Sequence, residues 1–391
     1  MKKMTKRTLL SVLGLALTAG SVEISAQQAE TFSVATLNVD GLPQKLLVFK
    51  VNAEGPGSAG TVRIGKYLKQ KNYDLVFMQE DFNYHPELEV MLEDDYQLDA
   101  WSGDVDIEGH SIDFLHLQNH RFECDGLMAC WKNGITATAA ERTAWNDGFG
   151  KFSHANDEMV TKGFRRYEVT LASGTRIVAY NMHMDAEDEA DSEAGNAAND
   201  RAARLGQWVQ LREDIMNRLD DRPVIVVGDM NSFYFRDRVK EQFIDAITAT
   251  GKATVTDAWI ELQNKGDYPE YKEDSKVRDD AEAEHGGESL DKVFCIIPTG
   301  AQRLKAVSYS RDNEGYSHDG KALGDHYPVV VTFEVVRGDK ETNAVTGVVQ
   351  MNNDSGEAAD VYDFSGRRVV RHAKGLYIER KDSEMRKRII K

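Results

Sequence analysis

Short apolar runs, each closed by polar or charged residues, recur along the chain and predict a strand-rich fold. Thr31 to Val39 carries Phe32-Ser33-Val34-Ala35-Thr36-Leu37 and ends at Asn38-Val39-Asp40-Gly41-Leu42-Pro43, while Tyr73 to Asp81 carries Leu75-Val76-Phe77-Met78 and ends in Glu80 and Asp81. In Pro223-Val224-Ile225-Val226-Val227-Gly228-Asp229-Met230-Asn231, β-branched residues stand between Pro and Gly, the pattern of a strand buried on both faces. If extended geometry continues past Gly228, alternation puts Asp229 and Asn231 on the same side. Gly126 to Trp131 and Ile135 to Ala139 predict a hairpin. So do Lys162 to Leu171 and Thr175 to Asn181, and the second of these runs on into Met182-His183. Ser289 to Ile297 opens a strand around Asp291, and Val329 to Val336 follows Gly324-Asp325-His326-Tyr327-Pro328.

Between these runs the apolar period lengthens to that of helices. Ile64, Tyr67 and Leu68 share a face in Val62 to Leu68, and Ala203, Leu205, Trp208, Leu211, Ile215 and Leu219 form a stripe in Arg201 to Leu219. Arg236 to Ile247 reads as another helix and Val255 to Leu262 as a short apolar element. Strands interleaved with helices predict an α/β fold. Gln263 to Glu288 is a charged insertion with surface-loop character. Glu187 to Glu193 is an acidic loop. His110, His116 and His120 lie in an irregular stretch, at spacings that match no ligand template.

The two ends differ from the middle. Lys2, Lys3, Lys6 and Arg7 precede an apolar run from Leu9 to Ala19, and Ile24-Ser25-Ala26 ends on a small residue. That is a signal peptide over residues 1–26, too short to span a bilayer, and it predicts export to the periplasm, cell surface or medium. Residues 27–336 form the main domain, 337–344 a polar linker and 345–391 a small β-rich unit. The three cysteines, Cys124, Cys130 and Cys295, show no zinc-type spacing, and Cys124 and Cys130 either pair in an oxidising compartment or are small buried residues.

The composition is that of a soluble protein, 41% hydrophobic and 29% charged. A net charge of -17 and the lack of a basic patch disfavour duplex DNA as a partner, because little would be gained from counterion release at phosphates. Oligomeric state is not readable from the sequence.

The strand-terminal residues form a chemically coherent set: Asn38 and Asp40, Glu80, His183, Asp229 and Asn231, Asp291, Asp325 and His326. Carboxylates and amides without cysteine suit a hard cation, Mg²⁺ or alternatively Mn²⁺, and not zinc. Such a cation neutralises charge on a phosphoryl group, while imidazoles backed by acids move protons.

In order along the chain, Asn38-Val39-Asp40-Gly41-Leu42, Gln79-Glu80, His183, Gly228-Asp229-Met230-Asn231, Leu290-Asp291-Lys292-Val293-Phe294 and Asp325-His326-Tyr327-Pro328 resemble the endonuclease/exonuclease/phosphatase superfamily, with its deoxyribonuclease I-like fold. The resemblance implies a four-layer sandwich of two packed mixed β-sheets flanked by helices, followed here by a small β-rich C-terminal appendage. It implies Glu80 as the main metal ligand, assisted by Asn38, Asp40 and Asp325. It further implies His326 oriented by Asp291 as base, Asp229 aligning or deprotonating the attacking water, and Asn231 with His183 holding the phosphate and stabilising the leaving oxygen.

Lys162-Gly163-Phe164 and the Gly41-Leu42-Pro43 turn are similar to neutral sphingomyelinases and related secreted phosphodiesterases. The expected activity is therefore that of an exported Mg²⁺-dependent phosphodiesterase acting on a membrane lipid headgroup or a small organic phosphodiester. A secreted nuclease and a catalytically silent binding protein are the alternatives. The chain departs from the family pattern at Leu290 and at Gly324, which replaces the usual Ser before Asp-His. The tail from Val361 to Lys391 resembles the C-terminal sorting domains of Bacteroidetes type IX secretion, which implies an export machinery as partner.

Overall fold

A computed structural model describes residues 29–46, 49–50, 52–101, 124–147, 162–186, 196–271, 287–336, 360–362, 375–381 and 384–390. The expected signal peptide at 1–26 and linker at 337–344, the acidic stretch at 187–193 and the three histidines at 110, 116 and 120 lie outside the described residues. The chain divides into two compact units, Met1–Gly338 and Asp339–Lys391.

The first unit begins with β1 (Thr31–Asn38), β2 (Lys45–Leu46), β3 (Phe49–Lys50), α1 (Gly57–Lys71), β4 (Leu75–Gln79), α2 (His85–Leu92), β5 (Tyr96–Leu98), β6 (Met128–Lys132) and β7 (Thr136–Ala144). It continues with β8 (Gly163–Thr170), β9 (Arg176–His183), α3 (Asn196–Asn217), β10 (Val224–Asp229), α4 (Tyr234–Asp237), a π-helical turn (Lys240–Asp245) and α5 (Ala246–Thr248). It ends with β11 (Ala253–Asp257), α6 (Ala258–Leu262), β12 (Asp291–Pro298), β13 (Arg303–Arg311), β14 (Ser317–His318), β15 (Lys321–Ala322) and β16 (Val329–Val336). The second unit holds a sheet of β17 (Asp360–Tyr362), β18 (Gly375–Lys381) and β19 (Glu384–Ile390), in that order.

Two six-stranded mixed sheets carry the first unit, one ordered β13-β16-β1-β4-β6-β5 and the other β11-β12-β10-β9-β8-β7. Their facing sides pack Val34, Phe77 and Val331 of the first sheet with Tyr167, Ile225, Val227 and Val293 of the second. Phe77 meets Tyr167 edge-on at 5.7 Å between ring centroids. Each such side chain contributes roughly 1.5–3 kcal/mol by leaving water, so this layer, and not the polar edge above it, holds the sandwich together. On the outer faces Ile64, Tyr67 and Leu68 of α1 cover the first sheet, and Trp208, Leu211 and Ile215 of α3 cover the second. Helix α1 stops where Asn72 adopts a left-handed conformation (φ 55°) and returns its N–H to Leu68 O.

Several expectations change. Gly126 to Ala139 is not a hairpin: β6 pairs with β4 and β5 in one sheet, while β7 pairs with β8 in the other. Trp131 and Ile135 are both buried in the layer between the sheets, so the chain crosses from sheet to sheet through this turn. Arg236 to Ile247 is not one helix, because Arg238 (φ 49°) ends α4 before the π-helical turn begins. Glu288, expected on the surface, is fully buried and paired with Lys292 Nζ at 2.5 Å. Cys130 and Cys295 are buried thiols, pushed well up from their ordinary pKa by burial. Among the described residues no helix is long and apolar enough to cross a membrane.

Candidate functional site

The register of the second sheet places three functional side chains side by side. Asp229 ends β10 opposite His183, the last residue of the parallel neighbour β9, and opposite Asp291, the first residue of the antiparallel neighbour β12. Gly228 makes this possible. Its φ is 145°, and a β-carbon there would lie 2.0 Å from Met182 O, so only a residue without a side chain lets β9 and β10 close up at the strand end. In the first sheet Asn38 ends β1 opposite Gln79 of the parallel β4, which delivers Glu80 one step later. Since β16 runs antiparallel to β1, the Asp325-His326 loop before it arrives at the same edge.

A buried amide bridge ties the sheets directly beneath. Gln79 Nε2 donates to Asn181 Oδ1 at 2.7 Å, and Asn181 Nδ2 donates to the carbonyls of Met78 and Met128, each at 3.0 Å. Above it the edges join through catalytic-type groups. Asn38 Nδ2 donates to Glu80 Oε1 at 3.0 Å and to Asp229 Oδ2 at 3.1 Å. His326 Nδ1 lies 2.7 Å from Asp291 Oδ2, and its Nε2 lies 3.6 Å from Asp229 Oδ2. His183 Nε2 is 3.5 Å from Asp229 Oδ2 and 3.8 Å from Glu80 Oε1. Asp229 Oδ1 accepts from the Asn231 backbone N–H at 3.0 Å, and Asn231 Nδ2 donates to Met184 O at 3.0 Å. The structure thus brings together Asn38, Glu80, His183, Asp229, Asn231, Asp291 and His326, with Asp40 and Asp325 alongside through the electrostatic coupling described next.

Two residues arrive by a route the sequence did not indicate. Glu80 lies just past β4 with φ 55°, and Asn231 has φ 44°, so strand geometry does not continue to either. The expected alternation of Asp229 with Asn231 is replaced by a tight turn in which Asn231 is held through its amide, its N–H and its carbonyl, the last accepting from Arg236 Nη2.

Charges sort the site into two halves. Burial raises Asp40 to about 8 and Glu80 to about 7, and in each case Asp325 adds to the rise; Glu80 also raises Asp40. The rise is offset in part at Asp40 by Asn52, which donates to it, and by His326, and at Glu80 by Lys162, by Asn38, which donates to it, and by His326. Oxygen donors with unrelieved negative charge fit a hard divalent cation.

In the other half, burial opposes the charge of His326, yet Asp291, Asp229 and Asp325 outweigh it and hold the imidazole well above its ordinary pKa. Burial likewise opposes ionisation of Asp229, but His326, His183, the Asn231 N–H and Asn38 outweigh it and hold the carboxyl below its ordinary pKa. His183 is driven well below its ordinary pKa by burial and by Lys162, and so is neutral. Asp229, Asp291 and His326 each bring a ligand-type atom to within 4.8 Å of the others. With His326 Nδ1 2.7 Å from Asp291 Oδ2, this trio is arranged for proton transfer, and the Asp40–Glu80–Asp325 group for a cation.

Lys162, Asn52 and Tyr316 are site residues the sequence reading did not place. Lys162 opens the Lys162-Gly163-Phe164 motif, but a buried lysine that donates to Met184 O at 3.3 Å leaves no trace in periodicity. Asn52 and Tyr316 lie in polar turns without an apolar pattern to frame them.

No family model and no curated protein matches this chain. Among solved structures it is similar to beta toxin 275-280 from Staphylococcus aureus, at 18% identity over 77% of this chain and 99% of that one, with a TM-score of 0.49. It is similar to sphingomyelinase C from Streptomyces griseocarneus, at 18% identity over 78% and 99% with a TM-score of 0.47. It is also similar to an endonuclease/exonuclease/phosphatase family protein from Bacteroides thetaiotaomicron, at 14% identity over 79% and 99% with a TM-score of 0.45. One of these three is named as an endonuclease/exonuclease/phosphatase family protein.

Proposed function

We propose that this chain is an exported, divalent-cation-dependent phosphodiesterase that hydrolyses a lipid headgroup or another small organic phosphodiester by in-line attack of water. The observation that carries this reading is the Asn38 amide. It joins Glu80, on the cation-binding side, to Asp229, on the proton-transfer side, across two sheets. Asp40, Glu80 and Asp325, with Asn38 beside them, would hold Mg²⁺ or Mn²⁺, which when bound supplies charge neutralisation at a phosphoryl oxygen. Asp229, kept ionised by its neighbours, orients the attacking water, and the proton that leaves this water is taken up within the Asp229–His326 pair. Asp291 fixes the imidazole through Nδ1 and leaves Nε2 facing Asp229. His183, neutral, offers an N–H to negative charge that builds at this edge, and Asn231 keeps a second amide hydrogen for a phosphate oxygen. The basic leader with its apolar run supports export, and the charge of -17 supports a substrate other than duplex DNA.

The test is a substrate panel on the purified mature protein with Mg²⁺ and with EDTA: sphingomyelin vesicles assayed for phosphocholine, a chromogenic phosphodiester, and supercoiled plasmid. EDTA-sensitive hydrolysis of vesicles or the small diester supports the proposal. Plasmid nicking as the fastest activity would make it a nuclease. Failure to hydrolyse any diester with Mg²⁺ present would leave a binding protein on this fold.

A further inference from the structure

The three acids on the cation side are not equally held. Asp40 accepts from Asn52 and Glu80 from Asn38, but among the described residues the exposed Asp325 has no side-chain hydrogen bond. Beside it stands a group in the opposite condition. Tyr316 is fully buried, and among the described residues its hydroxyl has no hydrogen-bond partner. The ring is fixed edge-on against Tyr67 at 5.1 Å and Tyr327 at 6.4 Å between centroids. Its backbone is pinned by Tyr316 N to Asp312 O at 3.1 Å and by Leu323 N to Tyr316 O at 3.3 Å.

The hydroxyl reaches the loop that carries Asp325. A β-carbon on Gly324 would lie 3.4 Å from Tyr316 Oη and 3.7 Å from Asp40 Cβ, so hydroxyl and acid flank the same bare backbone position. After burial itself, Asp325, Asp40 and Asp291 are the groups that hold the phenol in its protonated, donating form. A buried hydroxyl without an acceptor costs free energy that phenylalanine would not, since the ring contacts need only the ring. Its use therefore belongs to another state of the site, one in which an acceptor comes within reach.

We propose that Tyr316 is a positioning residue of the acidic cluster: its hydroxyl donates to the Asp325 carboxylate when Asp40, Glu80 and Asp325 gather around a divalent cation, and so fixes the acid that no other side chain holds among the described residues. The inference rests on the cation-dependent reading of the site given above. The bare backbone at Gly324 leaves the approach of Tyr316 to the Asp325 loop open.

The experiment is Mg²⁺ titration by calorimetry, with thermal unfolding in the presence and absence of Mg²⁺, on the mature wild type, Tyr316→Phe, Asp325→Asn and the double variant. Without cation, Tyr316→Phe should melt no lower than wild type, because it loses an unpaired hydroxyl. Its Mg²⁺ affinity should fall by about tenfold, the scale of one hydrogen bond to a charged group. In the Asp325→Asn background the same change should add nothing, because the acid through which it acts is gone. Wild-type affinity in Tyr316→Phe, an equal loss in both backgrounds, or unfolding of Tyr316→Phe without cation would each overturn the inference while leaving the phosphodiesterase reading in place. If the wild type itself binds no Mg²⁺, the reading of the site falls and the inference falls with it.

Discussion

Asn38 on β1 and Asp229 on β10 are 191 residues apart in the chain and belong to different sheets, yet the amide of one donates to the carboxylate of the other at 3.1 Å. The same nitrogen serves Glu80 at 3.0 Å, so one neutral side chain sets the spacing between the two halves of the site without adding charge to either. Asn38→Ala removes a charge-assisted bond from each carboxylate, worth about 1.5–3 kcal/mol apiece and not additive. It should lower kcat/KM for a phosphodiester on the order of 100-fold, while the unfolding midpoint moves by only a few degrees. Steady-state kinetics beside a thermal melt decide this, and a variant with near-normal turnover would remove the bridge from the mechanism.

His326 and Asp291 act as one unit in this geometry. Asp291 Oδ2 holds Nδ1 at 2.7 Å, which turns the ring so that Nε2 faces Asp229. Asp291→Asn and His326→Ala should each reduce kcat by about 10³-fold or more, and the double variant should be no worse than His326→Ala alone. Multiplying losses in the double variant would mean that Asp291 works through some other group.

Gly228 tests whether strand register sets the site. At φ 145°, with Met182 O 2.0 Å from where a β-carbon would sit, Gly228→Ala has neither the backbone conformation nor the space it needs. Strain and overpacking together should cost at least about 3 kcal/mol and separate Asp229 from His183. Urea unfolding and activity should therefore fail together, which distinguishes this change from Asn38→Ala, where activity falls first.

Much of this was legible in the chain because each strand is an apolar run that stops abruptly. Asn38, His183, Asp229 and Asp291 fall at those stops, so their convergence follows once the runs pair. Where backbone turns against the local pattern, the pattern misleads. Glu80 and Asn231 take left-handed conformations that alternation does not foresee. The runs around Trp131 and Ile135 look like hairpin partners, but both side chains sink between the sheets and carry the chain across. Glu288 reads as a loop acid until Lys292, four residues on, is seen to neutralise it in the interior. Tyr316 was invisible for a simpler reason: it sits among turn residues with no apolar period to mark a buried position.

Asp237 offers a pH test of how the Asn231 turn is held. Its carboxylate is buried, with Oδ1 accepting from Arg204 Nε at 2.9 Å and Oδ2 accepting from the Phe233 N–H at 3.0 Å and from Arg236 Nε at 2.5 Å. Burial raises its pKa, but Arg204 and Arg236 outweigh this and hold it below the ordinary carboxylate value. A folded pKa below the unfolded one contributes stability that is fully present above the unfolded pKa of about 3.9 and is lost as pH falls through the folded pKa. Asp237→Asn removes the carboxylate that Arg204 Nε and Arg236 Nε share in the interior, so it should cost up to about 3–5 kcal/mol at pH 7. Measured by urea unfolding, the gap between wild type and variant should stay constant from about pH 7 to pH 5 and narrow below about pH 4. A gap that persists unchanged to pH 3 would mean that Asp237 does not owe its hold to ionisation. Because Arg236 Nη2 also donates to Asn231 O, the variant should lose phosphodiesterase activity at pH 7 even under conditions where it remains folded, and wild type should follow it as acid discharges the same carboxylate.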